Sequence, residues 1–211
     1  GNNLSVVNIP NGVTEIGDYA FNGSIASQVN IPNSVTTIGT GAFENNANVK
    51  VVNFDDTGVV AYAGGDTISK LTTIENRAFY GCVNLEEITL SKKTEEIKAN
   101  AFANCSSLKS ITLPDTLLNI YEKAFYKCQA LEEINLQYVQ KIEKAAFCEC
   151  ENLKAVELHV AEVEEYAFSS CCSLSDVTLA DTKVIHKYAF DKCSDIKQIV
   201  LSALMLLGRL E

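Results

Sequence analysis

The amino-acid sequence predicts an α/β solenoid whose coils all run in one direction. Each coil is a strand, a turn, a short second strand and a short helical turn. Three columns of residues predict this. An Ala-Phe pair recurs eight times, at Ala20-Phe21, Ala42-Phe43, Ala78-Phe79, Ala101-Phe102, Ala124-Phe125, Ala146-Phe147, Ala167-Phe168 and Ala189-Phe190. Five residues before each Phe stands a β-branched aliphatic: Ile16, Ile38, Ile74, Ile97, Ile120, Ile142, Val163 and Ile185. Three residues after the last six Phe stands a cysteine: Cys82, Cys105, Cys128, Cys150, Cys171 and Cys193; Ser24 and Asn46 take that place in the first two coils. Self-similarity at a fixed period marks a stacked repeat, and the Phe spacings of 22, 36, 23, 23, 22, 21 and 22 hold one long interval only.

The first element of each coil is an apolar-polar-apolar segment such as Ile88-Thr89-Leu90 or Ile134-Asn135-Leu136. Alternation of this kind is the pattern of a half-buried strand. One such strand per coil, always in the same sense, makes a parallel stack. About nine strands, counting Leu4 to Ile9, would line a surface roughly 40 Å long at ~4.8 Å per strand. The second element ends on the β-branched column, as in Val139-Gln140-Lys141-Ile142, and reads as a shorter strand. The third holds Ala-Phe and the cysteine at i, i+3 and i, i+4, the spacing of one face of a short helix or turn. No coil buries its apolar face alone, so neighbours must stack.

The long interval places an insertion at residues 55–67, which include Gly58, Gly64 and Gly65. Solenoids carry such insertions as loops on one face. The first 66 residues hold one Lys and no Cys, and the rest is rich in Lys, Glu and Cys. The frame continues across the change, so residues 1–201 form one solenoid domain of two textures. The tail, 202–211, drops the pattern; Ser202 is placed to cap a short helix with Leu204, Leu207 and Leu210 on its apolar stripe, a possible cap for the last coil. The chain opens at Gly1 without a methionine and shows no signal peptide, so a trimmed chain is expected and targeting is left open.

Val29 to Gly39, with Pro32, and Leu108 to Phe125, with Pro114, carry a resemblance to a known family. The pattern Leu-x-x-Ile-x-Leu-Pro-x-x-Val-x-x-Ile-Gly-x-x-Ala-Phe-x-x-Cys resembles the BspA-type leucine-rich repeat over about residues 4–201. Pro follows the strand only at Pro10, Pro32 and Pro114, and Gly follows the Ile only at Gly17 and Gly39, departures that bear on turn geometry more than on fold. The resemblance implies a right-handed leucine-rich-repeat coil with its parallel sheet on the concave face. It also implies a secreted or cell-surface protein of a host-associated microbe, with cell adhesion or protein binding as its role.

Charge narrows the partners. The net charge is −10, from 27 acidic and 17 basic residues. A nucleic-acid binder needs a basic stripe to displace counterions from phosphate, and an anionic membrane attracts the same stripe. The apolar runs Val59–Ala63 and Ala203–Leu207 are far shorter than the ~20 residues of a membrane span. The expected partner is therefore a protein, bound by a monomer, with no nucleic acid and no direct membrane insertion.

No residue set predicts catalysis, a cofactor or a metal. Six cysteines share one column beside Phe, where small buried hydrophobes belong, and free thiols are expected there. Column neighbours ~5 Å apart satisfy a disulfide's Cα separation, but stacked side chains point the same way and miss the ~90° torsion. Cys148 and Cys172 fall off the column and are expected to be more exposed. Cys148-Glu149-Cys150 and Cys171-Cys172 lack zinc spacing and have no His pair beside them. His159 and His186 lie at different positions of different coils, and no Ser-His-Asp or Cys-His arrangement follows. Gly64-Gly65 precedes no Lys-Ser and no helix, so it is no phosphate loop.

The outward strand positions are the candidate binding residues: Asn30, Asn53, Glu87, Thr89, Thr112, Glu133, Asn135, Glu157, Asp176 and Thr178. Glu87, Glu133 and Asp176 share a column but skip a coil each time, about 10 Å apart at the strand spacing, too far for one calcium ion. The face has no Trp, Tyr or Arg, the residues that dominate tight interfaces. Tyr19, Tyr80, Tyr121, Tyr126, Tyr166 and Tyr188 lie near the Ala-Phe turn instead, either half-packed with wet hydroxyls or as an aromatic patch on the convex side. Two other roles fit the same residues: a structural spacer or stalk in a longer protein, and an intracellular regulatory scaffold, which unpaired thiols would suit.

Overall fold

A computed structural model describes residues 5–54 and 70–201. The insertion expected at 55–67 and the cap expected at 202–211 lie outside the described residues. The described strands in chain order are β1 (Val6–Asn8), β2 (Glu15–Ile16), β3 (Gln28–Ile31), β4 (Thr37–Ile38), β5 (Val51–Phe54), β6 (Thr73–Ile74), β7 (Glu87–Thr89) and β8 (Glu96–Ile97). They continue as β9 (Ser110–Thr112), β10 (Asn119–Ile120), β11 (Lys141–Ile142), β12 (Ala155–Leu158), β13 (Glu162–Val163), β14 (Asp176–Leu179), β15 (Val184–Ile185) and β16 (Gln198–Leu201).

The first strands of successive coils pair in parallel in the order β1-β3-β5-β7-β9 and again β12-β14-β16. The second strands pair as β2-β4-β6-β8-β10-β11 and as β13-β15. Register follows the repeat: Val29 pairs with Val7 and Val52, and Ile88 with Val52 and Ile111. The result is a β-solenoid of parallel strands, as the columns predict. Alternation decides the faces: Val29, Val52, Ile88, Ile111, Val156 and Val177 are buried, while flanking residues such as Glu87 and Thr89 are exposed.

The Ala-Phe segments correct one expectation. No described residue is helical; the expected helical turn is a chain of tight turns. In the third coil the N–H groups of Ala78, Tyr80 and Cys82 return to the carbonyls of Glu75, Arg77 and Phe79 in their own coil, at 3.1, 2.9 and 3.2 Å. Those of Arg77, Phe79 and Gly81 reach Ala99, Ala101 and Ala103 of the next coil, at 3.1, 2.8 and 2.9 Å. A helix would keep every such bond within its own segment. Half of them point outward here because the residues two before and two after each Phe hold positive φ, as at Asn100 (57°) and Asn104 (61°), Lys123 (56°) and Lys127 (61°), or Ala145 (55°) and Glu149 (63°).

That geometry stacks the phenylalanines. Phe21, Phe43, Phe79, Phe102, Phe125, Phe147, Phe168 and Phe190 form one column, with neighbouring ring centroids 5.1–5.5 Å apart and planes within 3–8° of parallel. The column spans the insertion: Phe43 and Phe79 are 5.3 Å apart. Beside it Arg77 forks onto Glu44 of the coil before, Nε donating to Oε2 at 3.0 Å and Nη2 to Oε1 at 2.5 Å.

The sheets, unlike the column, are interrupted. Coil six keeps only a single bridge, Ser110 to Glu133, and neither sheet continues by ladder pairing into coil seven. The full strand expected around Glu133 and Asn135 is thus reduced to one rung. The interruption coincides with a change in the corner between the two strands. Leu85 to Ile97 and Leu108 to Ile120 are twelve residues apart, Leu131 to Ile142 eleven, and Leu153 to Val163 ten. Ladders hold across unequal corners elsewhere, from coil two to coil three across the long interval and from coil seven to coil eight, so corner length alone does not set the break.

Phe125 is fully buried between Phe102 and Phe147. Phe125→Ala is expected to cost about 3–5 kcal/mol in denaturant unfolding, the usual range for a buried phenylalanine. Lys123 pays a left-handed conformation of roughly 1–2 kcal/mol with its Cβ in place. Lys123→Gly therefore leaves the unfolding midpoint unchanged or raises it, whereas Lys123→Val lowers it.

Candidate functional site

The expected binding residues line one face. Glu87 pairs in register with Val51 and Ser110, Ser110 bridges Glu133, and Ala155 pairs with Asp176. The second column holds Asn30 beside Asn53, Thr89 beside Thr112, and Glu157 beside Thr178. Asn53, Glu87, Thr89, Thr112, Glu133, Asn135, Glu157 and Asp176 are exposed, and Asn30 and Thr178 are half-buried. All ten therefore stand on the outer face of the first-strand sheet; eight of them fall into two groups, with Glu87 and Thr89 between the two.

The first group is an amide ladder. Asn30 Nδ2 donates to Asn8 Oδ1 at 2.5 Å, Asn53 Nδ2 donates to Asn30 Oδ1 at 2.8 Å, and Gln28 Nε2 donates to the same Asn30 oxygen at 2.9 Å. Stacked amides in a parallel register satisfy one another in this way. The ladder floors a depression of about 510 Å³ walled by Ile9, Pro32 and Phe54.

The second group lies over the interrupted sheet. A wider depression of about 710 Å³ spans coils five to eight and takes in Thr112, Glu133, Asn135, Glu157, Asp176 and Thr178. Three of these are acids. The cation on its margin, Lys154, is turned to Glu132, with Nζ and Oε2 2.5 Å apart. Apolar side chains are exposed beneath it because Ile134 is only half-buried where the ladder stops. Sequence reasoning named the residues but not the groove, which lies where the sheet is interrupted rather than following from any residue type.

The thiols support the core rather than the surface. Each column cysteine donates to the Phe carbonyl of the coil before: Cys82 Sγ to Phe43 O, Cys105 to Phe79, Cys128 to Phe102, Cys150 to Phe125 and Cys171 to Phe147, each at 3.2 Å, and Cys193 to Phe168 at 3.0 Å. Asn46 is buried at the same position in the second coil, and with its amide assigned so that both groups are satisfied its nitrogen donates to Ser24 O at 2.6 Å and Ala26 O at 3.2 Å rather than to the phenylalanine carbonyl. All eight cysteines are free; Cys172 is exposed and Cys148 half-buried, as their place off the column predicts. Burial pushes the Cys82 thiol up to about 12 and holds those of Cys105, Cys128 and Cys150 well above the ordinary range, because a thiolate there would lose its hydration.

The tyrosines are packed by cations and by one another. Arg77 lies 3.9 Å from the Tyr80 centroid and Lys98 Nζ 4.2 Å from that of Tyr121. Tyr121 and Tyr126 donate their hydroxyls to Glu96 and Glu149, each at 2.8 Å, and Tyr166 stacks on Tyr188 at 5.0 Å. The two histidines also gain carboxylates from the coils: His159 lies 3.3 Å from Glu157 and 3.5 Å from Asp181, and His186 Nε2 lies 2.8 Å from Glu162 Oε2. Among the described residues, Glu162, Glu164 and His186 bring one donor atom each within 4.8 Å of the others. No helix of the described residues is long and apolar enough to cross a membrane.

The difference between column and surface thiols is measurable. In the native protein a thiol-specific reagent is expected to modify Cys172 rapidly and Cys148 more slowly. The buried column cysteines, Cys82, Cys105, Cys128, Cys150 and Cys171, should react only at the rate of unfolding, a limit that does not hold for the half-buried Cys193, and early labelling of Cys105 or Cys128 would contradict their burial.

The fold has close counterparts among solved structures. A leucine-rich-repeat protein of T. pallidum is 22% identical, with a TM-score of 0.62 over 97% of this chain and 81% of that one. A leucine-rich-repeat protein of Bacteroides ovatus is 24% identical, with a TM-score of 0.58 over 90% and 58%, and one of Eubacterium ventriosum is 23% identical, with 0.57 over 93% and 54%. The chain thus spans little more than half the length of the last two. No curated protein matches the sequence significantly. The model of the BspA-type leucine-rich-repeat region matches residues 1–64 and 72–197 in six copies, and the chain belongs to that family.

Proposed function

We propose that this chain is a non-enzymatic protein-recognition module, displayed at a cell surface or secreted, that binds a protein partner through the outer face of its first-strand sheet. The observation that carries the reading is the groove over coils five to eight, where six of the ten outward candidates meet in one concavity. Its three acids, Glu133, Glu157 and Asp176, have no lysine or arginine among the outward strand positions, so the partner's contacting segment is basic. Charge of this kind sets orientation and association rate more than affinity, which suits a face without Trp, Tyr or Arg. Display outside the cell, and adhesion as the outcome, rest on the family resemblance. One observation favours an intracellular scaffold instead: eight free cysteines suit a reducing compartment.

The test uses the intact chain immobilised against a panel of extracellular host proteins, beside two variants. One carries Glu133→Lys, Glu157→Lys and Asp176→Lys; the other lacks residues 55–67. Saturable binding that survives the deletion and weakens at least about tenfold, about 1.4 kcal/mol, in the charge-reversed chain is expected. Binding indifferent to the reversal moves the site off this face, and no binding by any form leaves the chain a spacer.

A further inference from the structure

The second strands carry side chains of their own on the outside of the solenoid, and their chemistry changes along the array. In each coil two outward positions flank the β-branched residue, which is buried in coils one to seven and exposed at Ile185 in coil eight. In coil four they are Glu96 and Lys98, paired at 2.7 Å; in coil six they are Lys141 and Glu143, paired at 2.6 Å. In both coils the carboxylate has a lysine of its own strand. Coil seven instead places Glu162, on β13, and Glu164, just past its end, at these positions, and the donor atoms of both lie within 4.8 Å of each other and of His186. Coil eight places Val184 and His186 there. The nearby lysines are engaged elsewhere: Lys141 with Glu143, and Lys144 and Lys187 with Glu165 at 2.8 and 3.1 Å.

The backbone fixes these three side chains relative to one another. Glu162 pairs in register with Val184 and Val163 with Ile185, and His186 N donates to Val163 O at 2.9 Å. His186 Nε2 already lies 2.8 Å from Glu162 Oε2, and one donor atom from each of the three residues falls within 4.8 Å of the other two. We propose that His186, Glu162 and Glu164 form a binding site for a zinc-type divalent transition metal that ties coil seven to coil eight.

The donor set selects the metal class. One imidazole nitrogen and two carboxylate oxygens are zinc ligands, taken at about 2.0–2.2 Å. In a tetrahedron those bonds set the ligand atoms roughly 3.3 Å apart, a spacing that small side-chain rotations deliver from the present one. Calcium needs 6–8 oxygens, and three donors including a nitrogen do not supply them. Water takes the remaining position. The site lies beyond the interruption of the sheets, where β13 and β15 form a two-stranded sheet of their own, so a metal bridging them adds a link where the array has the fewest strand partners. A ligand that binds only the folded coils raises their stability by mass action.

The test uses the full chain at neutral pH with Cys172→Ser, which removes the exposed competing thiol. Zinc chloride is titrated by calorimetry, with cobalt(II) as a spectroscopic substitute. One saturable equivalent is expected, with a rise in unfolding temperature and a cobalt spectrum free of thiolate charge transfer. His186→Ala and Glu162→Gln, both at exposed or half-exposed positions that leave folding intact, should each weaken binding at least about tenfold, while His159→Ala should not change it. Failure to saturate, equal affinity in the His186→Ala chain, loss in the His159→Ala chain, or a thiolate signature each overturns the site.

Discussion

Each phenylalanine of the Ala-Phe pair lies 5.1–5.5 Å from the next, ring on ring, and its N–H reaches the alanine carbonyl of the following coil at 2.7–2.8 Å. Near-parallel rings at that separation are offset stacks, the favourable arrangement of aromatic pairs. The two contacts together fix the rise per coil, and every other element must comply. Strands meet at ladder distance because the turns below them do. The thiol of one coil meets the phenylalanine carbonyl of the coil before for the same reason. Left-handed residues on both sides of the ring are the cost of turning half of the N–H groups outward. That cost recurs in every coil because the stacking gain recurs with it.

A spine of this kind tolerates change elsewhere. The third coil carries the long interval between β5 and β6, yet Phe43 and Phe79 remain 5.3 Å apart. Coils six and seven shorten their corners, both sheets lose their ladder there, and Phe147 still stacks on Phe168 at 5.2 Å. Stability in a stacked repeat is a sum of coil and neighbour terms, so a fault in the sheet is local. The groove proposed as the binding surface is such a fault. The solenoid varies the outer face because the inner column does not depend on it, the usual division between a rigid scaffold and a variable surface.

The sequence shows the column plainly and the turn hardly at all. Phe, Cys and the β-branched aliphatics repeat because burial admits few residue types, so their positions, the strand faces and the free thiols are readable from spacing alone. The positive-φ positions are held by Tyr19, Arg77, Lys123, Ala145 and Tyr166 as readily as by Asn100 or Gly41. The position two after Phe is Gly or Asn only in the first four coils, at Gly23, Asn45, Gly81 and Asn104, and unmarked in the rest, so a helical turn was the natural expectation for an i, i+3, i+4 pattern. The binding face was readable residue by residue, because outward positions follow from alternation. Its groove was not, because a break in the ladder is a matter of register rather than composition. The grouping of His186 with Glu162 and Glu164 was hidden for a third reason: the histidine is more than twenty residues from the two acids and meets them only through the coil rise.

The claim that the turns rather than the sheets carry the array is tested most directly at the interruption, by amide hydrogen exchange. The Phe147 N–H crosses from coil six to coil seven, bonded to Ala167 O at 2.8 Å, where neither sheet does. If the spine is continuous, that amide is protected as strongly as those of Phe102 and Phe125 and opens with them in one cooperative unit. Exchange of Phe147 at the rate of Ile134 and Asn135, which lie outside the strand ladders, with Phe102 and Phe125 still protected, would show that the array divides at the sheet break and that the phenylalanine column does not hold it together.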